Sequence, residues 1–246
     1  MRAALILQGV RKTFRTEDGQ TIVALDGVDL TIPTGGFTIL IGPSGCGKST
    51  ILRILSGLER TFDGTVTFDP DVRASHLGFV FQQFALLPWL TVRENIALGL
   101  IARSTPNAVR SNTVERELER FQLVQFADAY PRELSGGMRQ RVGFARALAM
   151  DPKVLFLDEP FSELDSFTAS QLRKELLAIW HERSLTIVMV THIIEDAILL
   201  ADQIAVVTPR PGHIERVFTN TLPRPRDRRS PSFFALEDQL EASLKP

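Results

Sequence analysis

Cysteine is almost absent from this sequence: Cys46 is the one copy in 246 residues. That excludes an intramolecular disulfide framework and any cysteine-built zinc cluster. The four histidines, His76, His181, His192 and His213, fall at no metal-ligand spacing. His192 and Glu195 could form a pair, but no third ligand stands near them. Excess charge is missing too. Lys and Arg total 28 against 29 Asp and Glu, a net of -1, so no global basic field draws nucleic acid. Long hydrophobic runs are also lacking. The greasiest stretch, "LTIVMVTHII", is about half of the ~18 residues a membrane span needs. The apolar part of "MRAALILQGVRKTF" is too short for a signal peptide. The expectation is a soluble chain facing the cytosol. The local exception in charge is Arg224, Arg226, Arg228 and Arg229, which reads as a solvated tail, with contact to lipid headgroups as the alternative.

What is present is enough apolar material for a sizeable core, 44% hydrophobic residues, in one large domain or two small ones. "LILQGVRKTF" and "TIVALDGVDLTI" alternate as strands around the turn-like "TEDGQ". "FTILIG", 37–42, is a continuous apolar run, as in a strand buried on both faces. "KSTILRILSGL" has helical spacing at Ile51, Leu55 and Leu58, and "GTVTF" and "LGFVFQ" read as further strands. From residue 87 the period becomes helical through "LTVRENIALGLIARS", "AVRSNTVERELERFQLV" and "MRQRVGFARALAM". Buried strands return at "KVLFLDEP" and "LTIVMVTH", flanking a helix whose inner face carries Leu172, Leu176 and Ile179 or Trp180. A helical insert therefore interrupts an α/β core. The chain ends in a Pro/Arg-rich linker and a short amphipathic segment from Ser232.

"GPSGCGKST" matches G-x-x-x-x-G-K-[ST] at Gly42, Gly47, Lys48 and Ser49. The whole loop, Gly42, Pro43, Ser44, Gly45, Cys46, Gly47, Lys48, Ser49 and Thr50, is the candidate phosphate cradle. Its backbone N–H groups and the following helix N-terminus face phosphate oxygens, Lys48 reaches the β/γ-phosphates and Ser49 ligates Mg²⁺. "VLFLDEP", 154–160, supplies Asp158 for the Mg²⁺ shell and Glu159 to polarise the attacking water. Together the two motifs point to ATP with Mg²⁺. A second serine-glycine stretch, "ELSGGMRQR", also prepares a helix N-terminus for an anion, and raises the question of whose phosphate it meets.

"LSGGMRQR" resembles the signature of the ATP-binding cassette (ABC) ATPases, and the remaining motifs fall in that family's order over residues 5–220. The resemblance implies a P-loop NTPase core with an antiparallel β subdomain and an inserted helical subdomain. The core would be 1–86 plus 154–222, the signature subdomain 87–153 and a C-terminal tail 223–246. It also implies that Phe14 stacks on adenine, that Gln82 senses Mg²⁺ and the attacking water, and that His192 contacts the γ-phosphate. Two cassettes would pack head to tail as a homodimer. Ser135, Gly136, Gly137 and Asp165 of "SELD" would then complete the partner's ATP site in trans.

The segment "FALLPWLTVRENIALGL", with "ADQIAVVTPRPGHI" and "LPRPRDR", is similar to importer ATPases of the nitrate, sulfonate and taurine group. That implies two integral membrane permease subunits, an extracytoplasmic solute-binding protein acting indirectly, and a place on the cytoplasmic face of a bacterial inner membrane. The alternatives are a soluble ABC ATPase not coupled to transport and a module that holds ATP without hydrolysing it. Two departures from the family stand out: Ile193 where Asp usually follows the switch histidine, and Asp196 where Glu is usual. Cys46, at the start of a helix, is a candidate for thiol reagents that ATP would block; the alternative is a small filler of the loop.

Overall fold

The structure, a computed structural model, describes residues 2–244. The continuous apolar runs become the centre of a sheet. β3 (Phe37–Ile41), β6 (Val154–Asp158) and β7 (Thr186–Thr191) are buried at every position. With β5 (Leu77–Val80), β8 (Gln203–Val207) and β9 (Ile214–Thr219) they form six strands in the order β5-β6-β7-β3-β8-β9, parallel except for β9. Alternate residues divide between two cores. Phe37, Ile39 and Ile41 of β3, with Leu155 and Leu157 of β6, face a helical layer. Leu40, Val154, Phe156, Val188 and Val190 face the other way.

That second face is covered by helix α1 (Lys48–Leu55) and by the alternating strands β1 (Ala3–Arg15), β2 (Thr21–Pro33) and β4 (Asp63–Phe68). These three make a separate antiparallel sheet, order β2-β1-β4, with register shifts along the β1–β2 pair. Helix α1 ends earlier than its apolar spacing suggests. Gly57 takes a left-handed φ of 75°, and Leu58, expected on the inner face, is 56% exposed.

The helical insert is α2 (Val92–Ala102), α3 (Asn107–Arg120) and α4 (Gly136–Ala149), placed between β5 and β6. Thr91 caps α2 in a reciprocal box with Glu94. Helix α5 (Ser166–Arg183) joins β6 to β7, and Leu172, Leu176 and Ile179 are buried as expected. Glu117 of α3, fully buried, accepts from Arg183 at the end of α5 at 2.7 Å and pairs with Arg116 at 3.0 Å. This ties the insert to the core.

The basic run near the end is not a solvated tail. Helix α6 (Ile194–Leu200) leaves its last carbonyls without helical partners, and the arginines satisfy them. Arg226 donates to Ile198 O at 2.7 Å and Leu222 O at 3.2 Å, and Arg224 donates to Leu200 O at 2.6 Å. Arg224 also lies 4.7 Å from the Trp180 ring, and Arg228 pairs with Glu195. Burial pulls the Arg226 guanidinium down to about 10. Beyond it α7 (Pro231–Leu244) buries Phe233 and Leu240 in the helical core.

Removing one partner of a buried ion pair strands the other. Arg183→Met, which leaves Glu117 with Arg116 alone, is expected to cost about 3 kcal/mol. Thermal unfolding should show a midpoint lowered by roughly 6–12 °C. A drop within about 2 °C would mean that Arg116 alone satisfies Glu117.

Candidate nucleotide-binding site

Three parallel strands end level with one another. Ile41 pairs with Thr191, and Asp158 with Val190. The residues that follow, Gly42, Glu159 and His192, therefore leave the sheet at one edge. The glycine loop runs from β3 into α1, whose N-cap Gly47 has φ 104° and offers no side chain to the first-turn amides. Those N–H groups and the helix dipole are left for an anion. The Lys48 ammonium donates to the carbonyls of Gly42 at 2.8 Å and Pro43 at 2.9 Å.

Ser49 Oγ donates to Asp158 Oδ1 at 2.7 Å. Burial raises the Asp158 carboxyl above its usual range, and the Ser49 hydroxyl pulls it back. Glu159 has a left-handed φ of 44° and still donates its N–H to Val190 O at 3.1 Å. Its Oε2 lies 2.9 Å from His192 Nδ1. A strained backbone fixed by the sheet thus holds an acid in contact with a half-exposed imidazole, an arrangement that clusters at functional sites.

These groups share a cavity of about 650 Å³, ample for a nucleotide. It is lined by Phe14, Ile22 and Ala24 of the β1–β2 pair, by Ser44, Gly45 and Gly47 through Thr50 of the glycine loop and α1, and by Gln82, Glu159 and His192. Lys12 is buried and pinned by Thr61 O at 2.5 Å, with its ammonium 4.8 Å from the Phe14 ring centre. Sequence reasoning missed Ile22 and Ala24, which the β1–β2 register brings here by pairing Phe14 with Ile22. It also missed Ser162, whose Oγ donates to Glu159 O at 3.0 Å, and Arg210.

Other expected residues do not line it: Gly42, Cys46 and Asp158 are buried, and Pro43 is exposed outside the cavity. Ser135, Gly136, Gly137 and Asp165 do not line it either. Ser135 caps α4 by accepting from Met138 N, and Gly137 packs against Thr168. Asp165 caps α5, accepting from Phe167 N at 3.1 Å and Thr168 N at 3.0 Å. Hydrogen bonding to Thr168 holds its carboxyl below the usual range. The two helix N-termini thus stand side by side, outside the lining of their own chain's cavity. The two departures also fall outside the cavity. Ile193 caps α6, and Asp196 is buried in an ion pair with Arg173 at 2.6 Å.

The donors near the loop fit a hard divalent cation: a serine hydroxyl and a carboxylate 2.7 Å apart, with the Gln82 amide lining the same cavity. No cluster of three His, Cys, Asp or Glu that could cage a metal exists among the described residues. This suits a cation that shares its shell with phosphate oxygens.

Comparison with known proteins agrees with this geometry. The family described as ABC transporter matches residues 25–162. The aliphatic sulfonates import ATP-binding protein SsuB of Bacillus cereus is 43% identical over 230 residues, 92% of this chain and 90% of that protein. The nitrate import ATP-binding protein NrtD of a Synechocystis strain is 40% identical over 237 residues, 92% of this chain and 89% of that protein. Among solved structures, the dimeric post-hydrolysis state of the ATP-binding cassette MJ0796 bound to ADP and Pi matches with a TM-score of 0.78. It is 35% identical and covers 87% of this chain and 98% of that one.

Of the two readings of Cys46, the structure favours the loop filler, because its side chain is 1% exposed. In the native protein a disulfide reagent should label Cys46 at least about 100-fold more slowly than in denaturant, with or without ATP. Rapid labelling that ATP suppresses would place the thiol in the cavity instead.

Proposed function

Because the chain belongs to the ABC transporter family, we propose that it is the ATP-hydrolysing subunit powering import of a small solute of the sulfonate or nitrate class through a membrane permease. The observation that carries the hydrolytic part is the Glu159–His192 contact in the phosphate loop's cavity. The import part rests on the sulfonate and nitrate import subunits to which the chain is similar. In this reading residues 1–86 and 154–222 form the ATP-binding core, 87–153 the signature-bearing insert, and 223–246 the C-terminal tail, whose helix Pro231–Leu244 packs back on the core.

Phe14 stacks on the adenine while Gly45, Gly47 and the first turn of α1 donate N–H groups to the phosphates. Lys48, already held in the loop by two carbonyls, adds a fixed positive charge. Ser49, Asp158 and Gln82 would hold Mg²⁺, which neutralises phosphate charge. Glu159 accepts the proton of the attacking water as oxygen bonds to the γ-phosphorus and the bond to ADP breaks. His192 orients that carboxylate and contacts the γ-phosphate.

Ser135, Gly136, Gly137 and Asp165 act on the nucleotide of a second copy. Support comes from their place outside their own cavity, the open amides at the start of α4 and the dimeric cassettes among the structural neighbours. ATP then holds two copies together, and loss of phosphate releases them.

Two permease subunits would seat beside Gln82. There the turn after β5 carries the 69% exposed Trp89, and a groove of about 340 Å³ is lined by Phe79, Phe81, Leu98 and Arg146. A solute-binding protein on the far side of the membrane delivers cargo to those subunits. Among the described residues no helix is long and apolar enough to cross a membrane. By its similarity to import ATP-binding proteins, the chain would sit at the cytoplasmic face, held by those permease subunits.

Glu159→Gln should keep ATP binding, lower hydrolysis at least about 100-fold and accumulate dimer by size-exclusion chromatography with ATP. Undiminished turnover would remove Glu159 from its assigned role. Separately, hydrolysis per subunit should rise with protein concentration in the wild type and collapse in Ser135→Arg. A concentration-independent rate that survives the substitution would mean that the second serine-glycine motif does not act in trans.

A further inference from the structure

The cavity holds a cation that no motif names. Between β8 and β9 the chain turns through 208–213, and this turn is stitched to the nucleotide site. Thr208 N donates to His213 O at 3.0 Å, Gly212 N to Ala24 O at 2.9 Å, and Asp26 N to Gly212 O at 3.1 Å. The turn lies so close to the phosphate loop that a Cβ at Gly212 would overlap the Cys46 carbonyl oxygen. From this base Arg210 reaches the loop tip, where its Nη2 donates to Gly45 O at 3.0 Å. Its remaining N–H groups make no hydrogen bond among the described residues, and the side chain lines the cavity.

The charges around the cavity make this position matter. Besides Arg210, its lining carries one permanent cation, Lys48, and two carboxylates, Glu159 and Glu163. Without Arg210, carboxylates would outnumber cations in front of an anionic triphosphate, and the Lys48 ammonium is already committed to the carbonyls of Gly42 and Pro43. A guanidinium presents a planar fork suited to phosphate oxygens and stays charged at any working pH.

We propose that Arg210 is a phosphate-contacting residue of the nucleotide site, a second fixed cation that the 208–213 turn delivers across the loop from Lys48. This inference rests on the nucleotide reading of the cavity. It separates from a purely structural role because a contact to phosphate must scale with phosphate charge, whereas a lock on the loop must not.

The test is calorimetric titration of the full chain with ATP, ADP and AMP in EDTA, which arrests hydrolysis, for wild type, Arg210→Gln and Arg210→Lys. Arg210→Gln should weaken ATP about tenfold, ADP less, and AMP by about twofold at most. Arg210→Lys should recover part of the loss for ATP, and added salt should narrow the gap between wild type and Arg210→Gln. Equal losses for ATP and AMP would reduce Arg210 to a loop lock, and a loss for ATP below about twofold would remove it from the site. A wild type that binds no ATP would sink the nucleotide reading itself. A wild type that binds ATP no better than Arg210→Gln would sink only the role of Arg210.

Discussion

The parallel register of β3, β7 and β6 is the constraint on which everything else in this molecule depends. Each strand is apolar on both faces, so each can only be a central strand covered on both sides. Their ladders then bring three chain segments, far apart in sequence, to one edge: the glycine loop, the acidic pair and the histidine. Ligands in such sheets bind beyond the carboxyl ends of the strands, and the cavity lies there. The same ladder explains how Glu159 tolerates a left-handed backbone, which costs of order 1–3 kcal/mol for a residue with a Cβ. Its N–H is still bonded to Val190 O and its carbonyl receives Ser162 Oγ, so surrounding structure over-determines the conformation.

Much of this was legible in the sequence because it rests on local signals. Continuous apolar runs mark buried strands without any knowledge of their neighbours. The glycine-lysine-serine spacing describes a loop whose chemistry is carried by its own backbone. What was not legible depends on partners distant along the chain. Helical spacing at Leu58 cannot show that Gly57 has already turned the chain out of α1. A run of arginines reads as solvated until the open carbonyls of Ile198 and Leu200 are seen to receive it. Cys46 sits inside a reactive-looking motif, yet its side chain is buried against Gly42. Arg210 lies 165 residues from Gly45, and no period or spacing connects them.

The departures at Ile193 and Asp196 find their meaning in the same way. Asp196 is not near the cavity; it answers Arg173 of α5, and its carboxyl is pushed up by burial. The exchange of a longer acid for a shorter one therefore concerns how α6 packs on α5. It does not concern how phosphate is bound.

Helix α4 connects the parts of the proposed cycle. Its fourteen residues span about 21 Å at 1.5 Å per residue. At its start Ser135 and the open amides of Gly136 and Gly137 sit beside Asp165. Near its far end Arg146 donates to Phe84 O at 2.9 Å and Ala85 O at 2.6 Å, gripping two residues in left-handed conformations two and three positions after Gln82. Asn95 fixes the next stretch by bonding Leu87, Leu90 and Thr91. In the proposed reading, a displacement of Gln82 toward or away from a γ-phosphate would be passed to a helix whose other end would meet the partner's nucleotide. The exposed Trp89, on the same gripped segment, would feel the same displacement. On that proposal, sensing phosphate, joining the second copy and pushing on a membrane subunit would be three contacts of one helix and the turn it holds, which is how such a cassette would convert hydrolysis into movement.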